Sequence, residues 1–350
     1  MSEARAEFAE RMNRMLNEAS LALMVSVGHR TGLFDAMAEM PAATSAEIAS
    51  RSSLHERYVR EWLAAMTAGR IVEYDGAAGT YALPADHAAL LTRSAGMNNL
   101  APGMQFIGLL AQVEDQIVEC FRHGGGVPYS AFPRFTELMA ERSGAGYDAT
   151  LTDVVLPLVP GLSSRLGQGI DVADVGCGAG HAVNLMAKAF PRSRFTGFDL
   201  SAAAIAAARE EAKRQGLANA RFEKRDAAHL GEDGGFDFIT TFDAVHDQAR
   251  PDLLLAGIAS ALRPGGVYLC VEGAASSELA ENLGHPRGPW LYTISCMHCM
   301  TVSLAEGGMG LGTMWGEQTA LKMLGEAGFT SVEAAHLDGD IVNTYIIASR

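Results

Sequence analysis

The chain has 350 residues, of which 48% are hydrophobic, and its mean hydropathy is +0.08. This composition supports a large buried core and two domains rather than one. The formal net charge of -14 disfavours a nucleic-acid or anionic-membrane partner, because phosphate groups would meet a repulsive field. No apolar run is long enough for a membrane span, and the N-terminus does not resemble a signal peptide. Because the five cysteines lack a disulfide-framework spacing, we expect a cytoplasmic protein.

The N-terminal region predicts a winged helix. Apolar residues recur at three- and four-residue intervals from residue 1 to about residue 40, and Thr44 with Glu47 forms a capping-box pattern that opens a second helix. A third helix is predicted over 54–69, and 71–83 has the pattern of a β-hairpin. The third helix is expected to bury one face, formed by Tyr58, Val59, Trp62, Leu63 and Met66.

A winged helix raises the question of DNA binding, which the charges disfavour. In residues 1–95 Asp and Glu outnumber Arg and there is no Lys, the reverse of a phosphate-binding surface. Glu56 and Glu61 also lie on the predicted recognition helix. We therefore expect 1–95 to support dimerisation or to cover a substrate. Residues 96–150 predict a helical connector and a candidate lid, in which the glycines 124–126 form either a hinge or an ordinary loop.

A strand, a glycine-rich turn and a helix follow one another from Asp171. The apolar run 171–175 leads into Gly176, Gly178 and Gly180, after which the pattern becomes helical. Glycines at such a turn allow a ligand to approach the backbone amides, and they permit backbone angles that a Cβ disfavours. The G-x-G-x-G spacing differs from the G-x-G-x-x-G of dinucleotide sites and favours a ligand without a pyrophosphate. A glycine turn with no ligand is the alternative.

The rest of the chain predicts an α/β fold with a parallel sheet covered by helices on both faces. Strands and helices alternate from 171 to 271, which is typical of such a sheet. The last two predicted strands, 332–337 and 343–349, are joined too briefly for a crossover and must be antiparallel. We therefore predict a Rossmann-like sheet of seven strands in a domain over 151–350.

The carboxyl ends of parallel strands carry the ligand-binding residues in such a sheet. Asp199 closes the second strand, where its carboxylate can accept both hydroxyls of a ribose. Asp226 closes the third strand, where it can accept the amino group of an adenine. The full set of candidate cofactor residues is Asp174, Gly176, Gly178, Gly180, Asp199, Leu200, Asp226, Ala227 and Phe242.

Together these features resemble the class I S-adenosylmethionine-dependent methyltransferases. The resemblance rests on the glycine corner, Asp199, Asp226, the turn at 262–266 and the closing antiparallel hairpin. It implies the methyltransferase fold and S-adenosyl-L-methionine as cofactor. The N-terminal winged helix resembles the dimerisation domain that precedes small-molecule methyltransferases of this class, which implies a homodimer.

The segment after the fourth strand extends the resemblance to plant-type O-methyltransferases. In that family the His of an HDW segment is the general base, and a Glu at the end of the fifth strand orients it; His246 and Glu272 stand at these positions. An imidazole suits proton removal at neutral pH. Gln248 replaces the Trp of the family, which leaves the substrate class open. A structural or substrate-orienting role for His246 is the alternative.

The segment 274–316 lies between the fifth strand and the last helix, where the family carries a substrate-covering insertion. Its Cys296, His298 and Cys299 could suggest a soft-metal site, but the paired spacing of a structural zinc site is missing. We expect His298 to contact substrate or assist the base, with plain helix packing as the alternative, and we expect no metal. The Met, Trp and Tyr content predicts an adaptable and largely apolar pocket.

The function predicted from the sequence is methyl transfer from S-adenosyl-L-methionine to a small, partly apolar molecule. Oxygen is the favoured acceptor atom, and nitrogen, sulfur and carbon remain open. The catalytic residues would be His246, Glu272 and His298. One alternative is a winged-helix regulator that only senses the cofactor. A dehydrogenase is a third possibility, which the glycine spacing and the terminal hairpin disfavour.

Overall fold

The computed structural model describes residues 2–226, 230 and 234–350, which form two compact units, Met1–Ala111 and Gln112–Arg350. The sequence predicts a separate connector from residue 96, but 96–111 cluster with the first unit, because the helix that ends there packs on the first helix of the chain. Within the described ranges, no helix combines the length and the hydropathy that a bilayer crossing requires.

The first unit contains a winged helix, as predicted. The first helix ends where Gly32 takes a left-handed φ of 74°. The capping box is present, because the Glu47 N–H donates to Thr44 Oγ1 at 3.3 Å and the Thr44 N–H donates to the Glu47 carboxylate at 2.8 Å. The elements are α1 (Glu3–Thr31), α2 (Leu33–Ala38), α3 (Ser45–Arg51), α4 (Glu56–Ala68), the antiparallel hairpin β1 (Glu73–Asp75) and β2 (Thr80–Ala82), α5 (Ala85–Leu91) and α6 (Ala101–Ala111).

The buried face of α4 differs from the prediction at one residue. Tyr58 is 79% exposed, because it lies outside the stripe that begins at Val59 and continues at intervals of three and four residues. The ring of Trp62, on that stripe, packs edge-on against Phe34 at 5.2 Å and donates its N–H to the Met24 carbonyl at 2.8 Å. The predicted core residues Val59, Trp62, Leu63 and Met66 are buried.

The second unit is an α/β domain. Its strands are β3 (Asp171–Val175), β4 (Arg194–Asp199), β5 (Ala220–Lys224), β6 (Phe236–Phe242), β7 (Leu262–Gly273), β8 (Ser331–Ala335) and β9 (Asn343–Ser349). Its helices are α7 (Glu114–His123), α8 (Phe135–Thr150), α9 (Leu162–Gln168), α10 (His181–Ala189), α11 (Ala202–Arg214), α12 (Pro251–Ala261), α13 (Leu279–Asn282), α14 (Gly288–Ile294), α15 (Met300–Ala305) and α16 (Gly316–Glu326), with π-helical turns at Leu151–Val155 and Ser295–Cys299.

The seven strands lie in the order β5-β4-β3-β6-β7-β9-β8. The four pairings among the strands β3 to β7 are parallel, and β9 pairs antiparallel with both β7 and β8. Helices α9, α10 and α11 cover one face of the sheet, and α12 and α16 cover the other. This arrangement confirms the predicted Rossmann-like sheet. The strand order reverses at β3, which places a ligand site at its carboxyl end.

The turn predicted at 262–266 is absorbed into β7. Leu262 pairs with Phe236, whereas the next pairing joins Val267 to Phe238, so residues 263–266 form a bulge opposite one residue of β6. Gly265 supplies the left-handed φ of 76° that the bulge requires.

The glycine triplet 124–126 joins α7 to the segment that begins at Val127. Gly124 and Gly125 have left-handed φ angles of 72° and 82°. Gly126 differs, because a Cβ on this residue would lie 2.0 Å from the Thr301 carbonyl oxygen. The Val127 N–H donates to Thr301 Oγ1 at 2.8 Å, so this end of the triplet is held against α15. Any hinge is therefore confined to Gly124 and Gly125.

Candidate functional site

The glycine corner lies at the carboxyl end of β3. All three glycines have left-handed φ angles, 75° at Gly176, 52° at Gly178 and 75° at Gly180. Packing requires two of them, because a Cβ on Gly176 would lie 2.5 Å from Ala244 Cβ and one on Gly180 would lie 2.5 Å from Ala208 Cβ. At Gly178 no described atom lies within 4 Å of the Cβ position. Gly178 is therefore the glycine that leaves space for a ligand.

Asp199 ends β4 and holds the corner in place. Its Oδ2 accepts the Gly178 N–H at 2.9 Å, and its Oδ1 accepts the Ser201 N–H at 2.7 Å. Burial raises the pKa of Asp199, while these two N–H donors act in the opposite direction. Each carboxylate oxygen retains a second acceptor position, so the side chain can still accept hydroxyl groups.

Asp174 lies beneath the corner and is bonded to the sheet. Its carboxylate accepts the Thr240 hydroxyl at 2.7 Å, which fixes it to β6. Burial raises the pKa of Asp174 to about 7, so the group changes charge near neutral pH. The main contact of this candidate cofactor residue is therefore with the protein itself.

The other candidate cofactor residues occupy different surroundings. Leu200 is exposed, and Asp226 is exposed immediately after β5. Phe242 ends β6 and packs its ring against Tyr147 of α8, with ring centroids 5.3 Å apart. Ala227 lies outside the described residues.

His246 and Glu272 form a buried hydrogen-bonded pair between the ends of β6 and β7. Glu272 Oε1 accepts the Val245 N–H at 2.9 Å, and Glu272 Oε2 is hydrogen-bonded to His246 Nδ1. Both side chains are almost completely buried. With Nδ1 bonded to the carboxylate, the imidazole is held in one orientation, which leaves Nε2 both for the contact with Cys299 and for any proton transfer.

The charges around His246 determine its protonation. Burial opposes the imidazolium form most strongly, but Glu272 and Cys299 together outweigh it, and the pKa of His246 is raised well above 6.5. Cys299 also hydrogen-bonds the imidazole, and burial raises the pKa of its thiol. Burial raises the pKa of Asp247 to about 6. Gln248, where the related family has Trp, donates to the Ala244 carbonyl at 2.9 Å.

His298 lies in an aromatic enclosure. Its ring stacks on Phe135 with centroids 3.4 Å apart, and Phe132 and Tyr129 meet it edge-on at 4.6 and 5.5 Å. Neither nitrogen has a hydrogen-bond partner in the described part of the chain. Burial, together with the positive charge of His246, lowers the pKa of His298 to about 3. The ring is thus neutral at physiological pH, and it can offer one donor and one acceptor to a bound molecule.

Metal-ligating side chains come together at one place among the described residues. The donor atoms of Asp243, His246 and Glu272 all lie within 4.8 Å of one another, whereas Cys296, His298 and Cys299 form no such group. Two members of the first group are already bonded to each other.

Sequence reasoning missed several residues of the site. Asp243 is a non-glycine residue with a left-handed φ of 51°, held by the bond from its N–H to the Val271 carbonyl at 2.9 Å. Tyr129 and Phe135 come from the segment 96–150, for which the sequence predicts a helical connector and a candidate lid but no site residue. No signal in the sequence links this segment to His298, because the contact joins residues far apart in the chain.

Comparisons with known proteins identify two domains along the chain. Residues 166–317 match the model of a methyltransferase domain, and residues 19–93 match that of an Rv2258c-like winged HTH domain. A fatty-acid O-methyltransferase of Mycolicibacterium smegmatis is 31% identical over 115 residues, 33% of this chain and 41% of that protein. The chain thus spans less than half the length of this relative.

Solved structures share the fold over nearly the whole chain. Human N-acetylserotonin methyltransferase in complex with SAM is 16% identical, with a TM-score of 0.70 and coverage of 100% of this chain and 99% of that one. The mitomycin 7-O-methyltransferase MmcR is 18% identical, with a TM-score of 0.73 and 99% coverage of both chains. The sheet and the glycine corner therefore define a protein of the class I methyltransferase fold. Residues 166–317 thus match a methyltransferase domain, and residues 19–93 match a winged HTH domain ahead of it.

Proposed function

We propose that the protein is an S-adenosyl-L-methionine-dependent methyltransferase that methylates an oxygen atom of a small, partly apolar molecule. The observation that carries the proposal is the buried His246–Glu272 pair at the same sheet edge as the glycine corner. In this role His246 takes the proton of the acceptor hydroxyl, and Glu272 orients the imidazole and stabilises its charge.

The corner fits the proposed cofactor. Open space at Gly178 admits a ligand to the backbone, and Asp199 retains acceptor positions for ribose hydroxyls. Burial raises the pKa of Asp174, Asp199 and Asp247, and a cationic ligand beside them would stabilise their charged forms. S-adenosyl-L-methionine supplies an electrophilic methyl group there. The chain must align the acceptor and remove its proton, and neither task requires a metal.

The acceptor pocket that we propose is walled by the aromatic enclosure of His298. His298, Phe132 and Phe135 are buried in this structure, so the enclosure has to open for the acceptor to enter. Once it is open, the aromatic rings would supply apolar contacts, and the unpartnered nitrogens of neutral His298 would supply polar ones. His298 then orients the acceptor, since its lowered pKa makes it too weak a base to assist His246.

A screen of small phenols, amines and thiols with methyl-labelled cofactor tests the proposal. Labelled product is expected from hydroxyl compounds. The variant His246→Ala should bind S-adenosylhomocysteine as tightly as the wild type but turn over roughly two to four orders of magnitude more slowly. If this variant turned over at the wild-type rate, His246 would not be the general base. A regulator would instead give no labelled product and would shift DNA fragments in a gel.

The proposal extends to assembly and location. A homodimer is supported by the apolar residues Phe8, Met12, Met15 and Leu16 of α1, all exposed in the first unit. A cytoplasmic location is supported by the five cysteines, all of which are free thiols.

A further inference from the structure

A second run of alternating glycines lies between α15 and α16. We call residues 306–315, which join these two helices, the glycine segment. Gly310 and Gly312 have left-handed φ angles of 65° and 68°, and Gly312 is buried. The segment contains no residue that we assign to cofactor binding or catalysis, so its glycines need another explanation.

The glycine segment is hydrogen-bonded to the loop that carries His246. The Gly312 N–H donates to the His246 carbonyl at 3.1 Å, and the Met309 N–H donates to the Ala249 carbonyl at 3.0 Å. Both ends of the loop 246–249 are therefore held by the same segment, through backbone groups that no side-chain rotation can release.

Ser303 of α15 ties the loop and the segment together. Its Oγ accepts the Gly310 N–H at 3.0 Å and donates to the Gln248 carbonyl at 2.8 Å. A Cβ on Gly308 would lie 2.4 Å from Ala249 Cα, so the segment packs directly on the loop backbone. The position of this loop is thus fixed along its length.

The glycine segment also meets the strand that carries Glu272. A Cβ on Gly273, the residue after Glu272, would lie 3.1 Å from Thr313 Oγ1. Gly312 and Thr313 are consecutive, so one short stretch contacts the backbone at His246 and beside Glu272.

The opposite side of Gly312 faces the π-helical turn that carries His298 and Cys299. A Cβ on Gly312 would lie 2.2 Å from Ser295 Oγ and 3.2 Å from Met300 Cβ. Only glycine allows the turn to pack at this distance. Gly312 therefore lies between the loop of the proposed base and the turn that forms a wall of the proposed acceptor pocket.

We propose that Gly312 is a positioning residue, which sets the distance between His246 and the turn that carries His298. The inference rests on the proposed function, in which His246 is the base and His298 orients the acceptor. Proton removal requires the base and the acceptor hydroxyl to be aligned, and a displacement of about 1 Å can cost about a hundredfold in rate. Gly312 acts through His246 and does not touch the reacting groups.

The activity test compares Gly312→Ala with Gly307→Ala in the full chain. Gly307 has nearly the same φ, 67°, but no described atom lies within 4 Å of its Cβ position, so this control reproduces the backbone strain without the contact. In Gly312→Ala, kcat for a hydroxyl acceptor should fall roughly ten- to a hundredfold. The Kd of S-adenosylhomocysteine should not change. Gly307→Ala should keep the wild-type kcat.

A change at Ser295 should rescue Gly312→Ala. Replacing Ser295 with Ala removes its Oγ and leaves its Cβ 3.5 Å from the new methyl group, an ordinary contact distance. The double variant should regain part of the lost kcat, whereas Ser295→Ala alone should change little. If Gly312→Ala melts too low for assay, Ser295→Cys replaces it, because its larger sulfur presses on Gly312 from the other side and should also lower kcat.

Histidine NMR follows the base itself and needs no acceptor. In Gly312→Ala the His246 signal should move and titrate at lower pH than in the wild type, because a displaced imidazole bonds Glu272 less closely. In Gly307→Ala the signal and its titration should match the wild type.

The proposal would be overturned by an unmoved His246 signal in Gly312→Ala, by an unchanged kcat in that variant, by an equal loss in Gly307→Ala, or by a double variant without recovery. If the wild type still methylated hydroxyl compounds, the proposed function would stand. The reverse result is a His246 signal that moves in Gly312→Ala and returns in the double variant, in a protein that transfers no methyl group. That result would keep the positioning of His246 by Gly312 and remove the proposed function.

Discussion

At the residue scale, Glu272 controls what His246 can do. Its two carboxylate oxygens bond the Val245 backbone and the imidazole, so the same side chain fixes the position of His246 and raises its pKa. A base with a raised pKa is a stronger proton acceptor but is protonated over more of the neutral range. Through the pKa of His246, Glu272 is therefore expected to determine how the activity depends on pH.

Replacing Glu272 with Gln should move the pH dependence of catalysis to lower pH. His246 must be unprotonated to accept a proton, so kcat/KM of the wild type should rise with pH on a limb above pH 6.5. Loss of the negative charge lowers the pKa of His246 and moves this rising part of the profile to lower pH. The plateau rate of the variant should also be lower. Rate profiles over the neutral and alkaline range measure the shift.

An NMR titration of labelled histidine tests the same shift without an acceptor. The His246 signal, assigned by its loss in His246→Ala, should titrate at lower pH in Glu272→Gln than in the wild type. An identical titration in the two proteins would show that Glu272 does not set this pKa.

The sequence predicted the residues of the site that belong to short continuous motifs. Gly178, Asp199 and His246 each follow a strand, and the sheet order brings strand ends together. The contacts of Tyr129, Phe132 and Phe135 with His298 were not predicted. These contacts depend on helix packing between distant segments, which no local pattern reports.

At the element scale, residues 124–127 can approach α15 closely only because Gly126 has no side chain. Gly126 → Ala should destabilise the protein by about 1–3 kcal/mol, because the new methyl group would meet backbone atoms that cannot rotate away. Its matched control is Gly146→Ala in α8, where no described atom lies within 4 Å of the Cβ position.

Thermal unfolding measures both variants. Gly146→Ala should raise stability by about 0.5–1 kcal/mol through its helix propensity. If Gly126→Ala melted at the wild-type temperature, the close contact of Gly126 with α15 would not be needed for stability.

At the scale of the whole molecule, short sequence patterns predicted a seven-stranded sheet that closes with an antiparallel hairpin, and a winged helix ahead of it, and the structure confirms both. The patterns could not show that the apolar stripe at the start of α1 stays exposed. Helical periodicity indicates which residues share a face, but it does not tell whether the same chain or another chain covers that face.

The α1 stripe predicts a dimer in solution. Stable interfaces bury about 800 Å² per partner, and sedimentation of the wild type should give twice the mass of the chain. Met12→Glu with Leu16→Glu should shift the protein to monomer, because two charges would be desolvated in the interface. The control Glu18→Lys changes an exposed charge outside the stripe. A wild type that sediments as a monomer would contradict the proposal.

The bond from Val127 to Thr301 joins residues 174 positions apart. During synthesis, the segment with Phe132 and Phe135 therefore leaves the ribosome long before the residues that cover it. These rings stay uncovered until α15 has been made, by which time the strands β3 to β7 have already been synthesised. The pocket should consequently be among the last parts to mature and should exchange its amide hydrogens faster than the central strands.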